Sequence, residues 1–280
     1  MQSNVNLYNN AYGNYWSAVY REIRLETYGE DLGQTSWVDT EESNKIPHML
    51  GLNRDSYVLE IGSGSGRYAL QLAATVGCRV LGIDANGAAI DTANQLAKAQ
   101  GVSAQVRFEQ GDASQKLPFD NATFDAAFAN DVLCHLPGRQ DTLREIFRVI
   151  RTGAKFLFSD ALIIGGTISH QEIAMRSSIG YYIFSPPGEN ERLLENAEFR
   201  LVSVTDTTAN AAAIAKRWHD ARQARRPALV AMEGEATFQG LQKFLSTVNT
   251  LTSERKLLRH FYVAEKPRGA GVRPKRLISA

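Results

Sequence analysis

The chain has 280 residues, 44% of them hydrophobic and 22% charged, and a formal net charge of +1 at pH 7. This length suits one large α/β domain, or a core with an inserted cap. The near-neutral charge excludes a global attraction to nucleic acid or to an anionic membrane, so neither is expected as a partner. Cys78 and Cys134 form no CxxC pair, and no apolar run is long enough to cross a bilayer. We therefore expect a cytoplasmic protein with no disulfide framework and no metal site.

Residues 1–50 are predicted to form a helical lid. Aromatic residues near helical spacing recur in its first part: Tyr12, Tyr15, Trp16 and Tyr20. Such a face packs against the core, or it belongs to a segment that closes over a ligand and excludes water. An irregular polar stretch at 28–37 follows and carries Trp37, and a second helix is predicted from Thr40 to about Leu50.

The core is predicted at 51–164, and it is organised around a glycine-rich turn. Residues 57–61 suit a buried strand, glycines alternate at Gly62, Gly64 and Gly66, and a helix follows from Arg67. A strand, a tight glycine turn and a helix form the first unit of a nucleotide-binding α/β sheet, in which a cofactor lies against bare backbone. The spacing is Gly-x-Gly-x-Gly, which differs from the dinucleotide fingerprint.

Four more strands are predicted in this core: Arg79–Asp84, Gln105–Gln110, Phe124–Ala129 and Lys155–Ala161. A helix is predicted at 88–100, and another at 139–151 with Gly153 as its C-cap. Helices between strands imply parallel pairing, which places ligands at the carboxyl edge of the sheet. Four polar residues fall at that edge: Glu60, Asp84, Asp112 and Asn130.

Two of these acids have distinct expected roles. Asp84 lies 18 residues past Gly66, where a carboxylate can accept two hydrogen bonds from a ribose diol. Asn86 can cap the following helix, so Asp84 is not needed for that purpose. Asp112 can accept a hydrogen bond from an exocyclic amino group such as that of adenine.

The remaining chain is divided into three predicted parts. Residues 165–198 form a substrate cap, 199–265 complete the core, and 266–280 form a flexible basic tail. The cap carries a short helix with Arg176, which can pair with a substrate carboxylate, although a lone arginine on a helix is usually solvated.

The motifs resemble those of the class I S-adenosylmethionine-dependent methyltransferases. They follow one another along the chain: Val58–Gly66, Gly82–Asp84, Gly111–Ala113 and Arg148–Gly153. The resemblance is to the small-molecule branch, including sarcosine/dimethylglycine-type and natural-product methyltransferases. It implies an α/β, Rossmann-like, seven-stranded and mostly parallel sheet with helices on both faces. The last strand would insert antiparallel between its neighbours.

The resemblance also implies S-adenosylmethionine as cofactor and a set of binding residues. Glu60 and the 62–66 turn would hold the methionine part, and Asp84 would bind the ribose. Asp112 and Ala113 would frame the adenine. The full implied set is Gln34, Trp37, Glu60, Gly62, Ser63, Gly64, Gly66, Asp84, Ala85, Asp112, Ala113 and Asn130.

The reaction expected from this resemblance is an in-line displacement that moves a methyl group to nitrogen, oxygen or carbon of a small molecule. Positioning of the two reactants alone can lower the activation free energy by about 7–11 kcal/mol. A general base can raise the rate by a further factor of about 10²–10⁴. His135, just beyond the fourth strand, is the candidate base, although it can equally be structural. Tyr181 is the second candidate catalytic residue, through its hydroxyl or as an aromatic wall.

Two other functions remain open from the residues. A nicotinamide-dependent oxidoreductase uses a similar sheet, although the glycine spacing disfavours it. A non-catalytic, cofactor-binding partner subunit would keep the same motifs.

Overall fold

The computed structural model describes residues 11, 13–31, 33 and 35–269, so Tyr12 and Gln34 lie outside the described residues. Seven strands form one sheet: β1 (Tyr57–Ile61), β2 (Arg79–Asp84), β3 (Val106–Gln110), β4 (Phe124–Ala129), β5 (Ile150–Ile164), β6 (Arg200–Asp206) and β7 (Leu257–Glu265). Their order is β3-β2-β1-β4-β5-β7-β6. The first five strands pair in parallel, and β7 runs antiparallel between β5 and β6. The predicted sheet is therefore confirmed, including its antiparallel last strand.

Ten helices, counted over the described residues, surround this sheet. They are α1 (Ala18–Tyr28), α2 (Thr40–Leu50), α3 (Arg67–Thr75), α4 (Gly87–Ala99), α5 (Arg139–Val149), α6 (His170–Arg176), α7 (Glu189–Asn196), α8 (Thr208–Ala224), α9 (Arg226–Glu233) and α10 (Glu235–Ser253). Polar N-caps explain where several of them begin, because a side-chain oxygen there accepts from an otherwise unpaired backbone N–H. Asp39 caps α2, Asn86 caps α4, and Ser169 begins α6 in a capping box with Glu172.

The end of α5 differs from the sequence-based prediction. The helix stops at Val149, because Ile150 is already extended and pairs with Phe124 of β4. Gly153 therefore lies inside β5 rather than at a helix C-cap, and its N–H donates to the carbonyl of Lys266. Strand β5 extends beyond the predicted Ala161, because Ile163 and Ile164 also pair with β7.

Apolar side chains form a core on each face of the sheet. One face is covered by α2, α3 and α4, and the other by α5 and α7. A third cluster joins α1 to α8 and α10, where Trp37 lies 6.0 Å from Trp218 and 6.4 Å from Phe244 between ring centroids. Of the predicted lid aromatics, Tyr15 and Tyr20 are buried, whereas Trp16 is 64% exposed. The N-terminal segment is thus packed against the C-terminal helices.

One buried ion-pair network connects the ends of the described chain. Arg259 of β7 is fully buried, and its guanidinium lies 3.0 Å from a carboxylate oxygen of Asp131 and 2.8 Å from one of Glu42. Because both acids are themselves at least mostly buried, loss of the arginine would leave two charges without compensation.

We predict that Arg259→Met lowers the unfolding free energy by about 3–5 kcal/mol, because loss of the arginine leaves its acidic partners buried without a compensating charge. The melting temperature should fall by at least about 6 °C. Arg200→Met is the matched control, since Arg200 pairs with Glu265 at an exposed strand edge and its loss should cost at most about 1 kcal/mol. Equal melting temperatures for the two variants would contradict the role of Arg259.

Candidate cofactor and acceptor site

A cavity of about 590 Å³ opens at the carboxyl edge of the sheet, as expected for a parallel α/β fold. Most of the predicted site residues line it together: Trp37, Gly62, Ser63, Gly64, Asp84, Ala85, Asp112, Ala113, Asn130, His135 and Tyr181. Glu60 and Gly66 lie outside this lining, and Gln34 lies outside the described residues. The sequence therefore predicted one site rather than scattered positions.

The glycine turn between β1 and α3 is required by the protein's own packing. Gly62 has a φ of +70°, and a Cβ on it would lie 2.2 Å from a methyl carbon of Val132. Gly66 has a φ of +77°, and a Cβ there would lie 2.3 Å from the ring of Phe108. Positive φ and close contact both demand glycine. Approach by a cofactor is thus not the only reason for these glycines.

Asp84 is held at the end of β2 by two backbone donors. The N–H of Gly64 and the N–H of Asn86 each donate to a different carboxylate oxygen, both at 2.8 Å. Asn86 itself accepts from Ala89 and caps α4, so the expected division of roles holds. Each carboxylate oxygen keeps a second lone pair, which allows two further hydrogen bonds to a diol. Burial raises the pKa of Asp84.

Glu60 is buried in β1 behind the turn. Burial, and then the nearby Asp84 carboxylate, raise the pKa of Glu60 well above its usual range. One of its carboxyl oxygens has no hydrogen-bond partner in the described part of the chain. Glu60 therefore stands close to the turn as expected, without itself lining the cavity.

Several other polar atoms around the turn are buried and lack a partner among the described residues. They are the hydroxyl of Ser63, both amide atoms of Asn130 and Nε of Arg67. All three residues line the cavity. Buried polar groups in folded proteins are nearly always hydrogen-bonded, so this cluster indicates a polar ligand at the turn. Sequence reasoning missed Arg67, which carries no signal beyond its place as the first residue of α3.

The loop after β3 forms the rim of the cavity. Asp112 is exposed and accepts from the N–H of Ser114 at 2.8 Å, and these hydrogen bonds lower its pKa. The carbonyl of Ala113 accepts from the hydroxyl of Thr142 on α5 at 3.1 Å. The rim is therefore anchored to a helix, which holds Asp112 in place.

His135 also lines the cavity, just beyond β4. Its Nδ1 is 3.0 Å from the carbonyl oxygen of Tyr181. A carbonyl can only accept, so Nδ1 carries the proton and the neutral ring has its lone pair on Nε2. The ring lies 4.5 Å from that of Tyr182 between centroids, at an interplanar angle of 45°. Burial is the main cause that lowers the pKa of His135, so the imidazole is neutral at pH 7.

The two tyrosines of the cap differ in exposure and in contacts. Tyr181 contacts His135 through its backbone, while its ring is 60% exposed. Tyr182 packs instead against Arg176, whose guanidinium lies 4.4 Å above the tyrosine ring and 5.2 Å from the ring of Phe244. Arg176 is only 2% exposed, so the expectation of a solvated arginine is wrong. Phe244 comes from α10, and no local motif could have indicated it.

The N-terminal segment closes one side of the cavity. The N–H of Trp37 donates to Asp131 at 2.8 Å, and the hydroxyl of Ser65 donates to the carbonyl of Gly33 at 3.1 Å. The guanidinium of Arg67 also donates to the backbone carbonyl of Asp31. These bonds tie the segment that precedes α2 to the glycine turn.

The described residues contain neither a cluster of metal ligands nor a helix that could span a membrane. Over residues 13–31 and 35–269, with 11 and 33, no group of three or more His, Cys, Asp or Glu side chains could hold a metal ion. No helix in the same residues has both the length and the apolar character needed to span a bilayer.

Comparison with known proteins identifies the domain that builds this site. Residues 59–158 match the family model of a methyltransferase domain, which covers β1 to most of β5. Residues 59–158 therefore form a methyltransferase domain. The predicted family is thereby confirmed, and the comparisons give no support to an oxidoreductase or a non-catalytic subunit.

Named methyltransferases are among its relatives. The chain is 31% identical over 154 residues to the sarcosine/dimethylglycine N-methyltransferase of Halorhodospira halochloris, covering 53% of this chain and 54% of that protein. It is 27% identical over 193 residues to an O-methyltransferase of Aspergillus nomiae, covering 69% and 81%. The chain thus spans about half the length of the first relative.

A solved structure shares the fold. The phosphoethanolamine N-methyltransferase 2 of Haemonchus contortus, in complex with S-adenosyl-L-methionine, superposes with a TM-score of 0.76 at 19% identity. The match covers 92% of this methyltransferase and 60% of that chain. At this identity the likeness concerns the fold.

We predict that Gly62→Ala destabilises the methyltransferase by about 2–5 kcal/mol, from the left-handed backbone and the clash with Val132. Denaturant unfolding measures this change. Adding Val132→Ala should recover only the part due to the clash. Gly166→Ala is the control, because that glycine has ordinary contacts and no positive φ, and its cost should stay within about 1 kcal/mol. An unchanged midpoint for Gly62→Ala would refute this account.

We also predict that His135 titrates below about 6.5, the value of an unperturbed histidine. The unfolded chain then binds this proton more tightly than the folded chain, so stability is lost as pH falls through about 6.5 toward the folded pKa. NMR of ring-labelled histidine follows the titration, and His135→Gln assigns the resonance. Titration at or above 6.5 would be inconsistent with this burial.

Proposed function

We propose that this methyltransferase moves the methyl group of S-adenosylmethionine to a small-molecule acceptor by in-line displacement. The observation that carries the proposal is the cluster of buried, unpartnered polar atoms on Ser63, Arg67 and Asn130 beside the glycine turn. These donors and acceptors suit the ammonium and carboxylate of an amino-acid moiety. Asp84 stands next to them with acceptor capacity for a ribose diol.

The residues divide the cofactor between them. The 62–66 turn, Glu60 and Asn130 would hold the methionine part, and Asp84 the ribose. Asp112 and Ala113 at the rim would frame the adenine, and Trp37 would close the lid side. When bound, the cofactor supplies a methyl group on a sulfonium, which needs no further activation. The protein's task is then to position the acceptor and exclude water.

Two segments support water exclusion. Residues 1–50 would act as the lid, because the described part of that segment bonds to the turn through Ser65 and to β4 through Asp131. Residues 165–198 would act as the substrate cap over the core of 51–164 and 199–265. The isolated bridge between Ile163 and Ser185 ties that cap to β5.

Proton removal would fall to His135. Its Nδ1–H donates to a cap carbonyl, which favours the neutral tautomer whose basic nitrogen is Nε2. A lowered pKa keeps the ring unprotonated at pH 7. Tyr181 would contribute an aromatic wall of the cavity, with 60% of the residue exposed to solvent.

The acceptor atom follows from neither the fold nor the relatives. By name, the relatives include N-, O- and C-methyltransferases. The acceptor is therefore proposed as a small molecule, with no nucleic-acid or membrane partner. A cytosolic setting is supported by the free and buried thiols of Cys78 and Cys134.

The test of this function is transfer of label from methyl-labelled S-adenosylmethionine to a panel of amines, amino acids, phenols and carboxylic acids. Asp84→Asn should weaken cofactor binding at least 100-fold in calorimetry, because it loses charge-assisted bonds to the diol. Asp91→Asn, at an exposed position on α4, is the matched control and should bind as wild type does. Cofactor affinity within threefold of wild type for Asp84→Asn would reject this placement of the ribose.

A further inference from the structure

Arg176 is a buried cation that has no counter-ion among the described residues. It is 2% exposed, and its Nη1 has no hydrogen-bond partner among the described residues. The other buried arginines of the described chain each have an acidic partner, in the pairs Arg24–Asp31, Arg139–Asp160, Arg222–Glu233 and Arg259–Asp131. Buried charges are normally paired, so Arg176 departs from the pattern of its own protein.

Aromatic rings hold this guanidinium in place. Tyr182 and Phe244 approach it at 4.4 and 5.2 Å from their centroids. Cation–π contacts are worth about 2 kcal/mol when desolvated, whereas burying an ion costs several kcal/mol. The rings offset only part of that cost. The rings offer no oxygen or nitrogen acceptor, so Nη1, which has no partner among the described residues, is left for a ligand.

Arg176 lines the site cavity and contacts the ring of Tyr182, which itself lies against His135. It ends α6, which follows β5, and β5 is separated from β1 by β4. Strands lie about 4.8 Å apart, so β5 is roughly 10 Å from the strand that carries the turn. Of the acids near His135, Asp131 is bonded to Arg259 and Asp160 to Arg139. The cation therefore faces the acceptor side of the cavity.

The number of positive side chains that line the cavity limits the negative charge that a ligand can carry. The cavity-lining cations within the described residues are Arg67, at the glycine turn, and Arg176. One guanidinium balances one negative charge and matches the planar fork of a carboxylate. A phosphate dianion would require more positive charge at this end. Around Arg176 the lining is apolar or aromatic, with Ala161, Ile179 and Phe244.

We propose that Arg176 binds a carboxylate of the methyl acceptor, so that the substrate is a small carboxylic acid with an apolar body. This inference rests on the proposed methyl transfer and assigns its substrate class. The acid would dock on Arg176, and the rest of the molecule would extend past Tyr182 toward His135. The ion pair would form in a nearly dry pocket, where it discriminates strongly against neutral analogues.

The binding test uses matched probes on the intact chain saturated with S-adenosylhomocysteine. Calorimetry compares benzoate, benzamide and phenylphosphonate. Benzoate should bind at least tenfold more tightly than benzamide, and Arg176→Gln should abolish that preference. Arg176→Lys should restore part of it, because the charge remains but the fork is lost. Arg192→Gln, an exposed arginine on α7, is the control and should behave as wild type.

Turnover provides the second readout. Acid acceptors that take label should lose at least 100-fold in kcat/KM in Arg176→Gln, while their methyl esters or amides should change less than threefold. If phenylphosphonate binds more tightly than benzoate, the proposed carboxylate ligand is wrong and a dianionic ligand is favoured. An equal loss of kcat/KM for acids and for their esters would also contradict the proposed carboxylate ligand.

Cofactor affinity separates this inference from the proposed function. If Arg176→Gln binds S-adenosylmethionine as wild type does and still methylates neutral acceptors, the loss on acids supports the carboxylate subsite. If the variant loses cofactor affinity, Arg176 belongs to the cofactor site and the inference is wrong. If Asp84→Asn retains cofactor affinity, the proposed placement of the cofactor fails, independently of Arg176.

Discussion

The buried carboxylate of Asp131 is the point on which the site depends. It accepts from the N–H of Trp37 and the hydroxyl of Ser159, each at 2.8 Å, and from the guanidinium of Arg259 at 3.0 Å. Its own backbone has a φ of +57°, and its N–H donates to Ser159. One side chain thus joins the N-terminal segment, β5 and β7 at the end of β4. Because Asn130 precedes it and His135 follows it, both site residues take their positions from this constraint.

The two ends of the cavity are built differently. The end at the glycine turn, where we propose the cofactor, uses hydrogen bonds between neighbouring strands and turns, such as that from the N–H of Gly64 to Asp84. The end where we propose the acceptor is assembled from segments distant in the chain, with Tyr182 from the cap and Phe244 from α10 against Arg176. The segments around Arg176 can therefore differ in sequence without a change at the glycine turn. This suits a fold that hosts many different activities.

This difference also explains what the sequence could predict. The strands, the turn and the residues at the carboxyl edge follow from periodicity and spacing, so Asp84 and Asn130 were found. The expectation for Arg176 failed because a helical pattern carries no information about which distant ring covers it. Gly153 was misassigned because the pairing of Ile150 with β4, a tertiary contact, overrode a local helix-stop signal. Tertiary packing decided both cases.

The position of β7 inside the sheet has a consequence for biosynthesis. A ribosome releases β1 to β5 early, yet β5 keeps an open edge until residues 257–265 emerge. An unpaired edge beside Phe156 and Phe158 is prone to association with other chains. Arg259 arrives in the same strand, so the network around Asp131 closes only when β7 inserts. The nascent protein therefore acquires its nucleotide-binding half first and secures its N-terminal segment last.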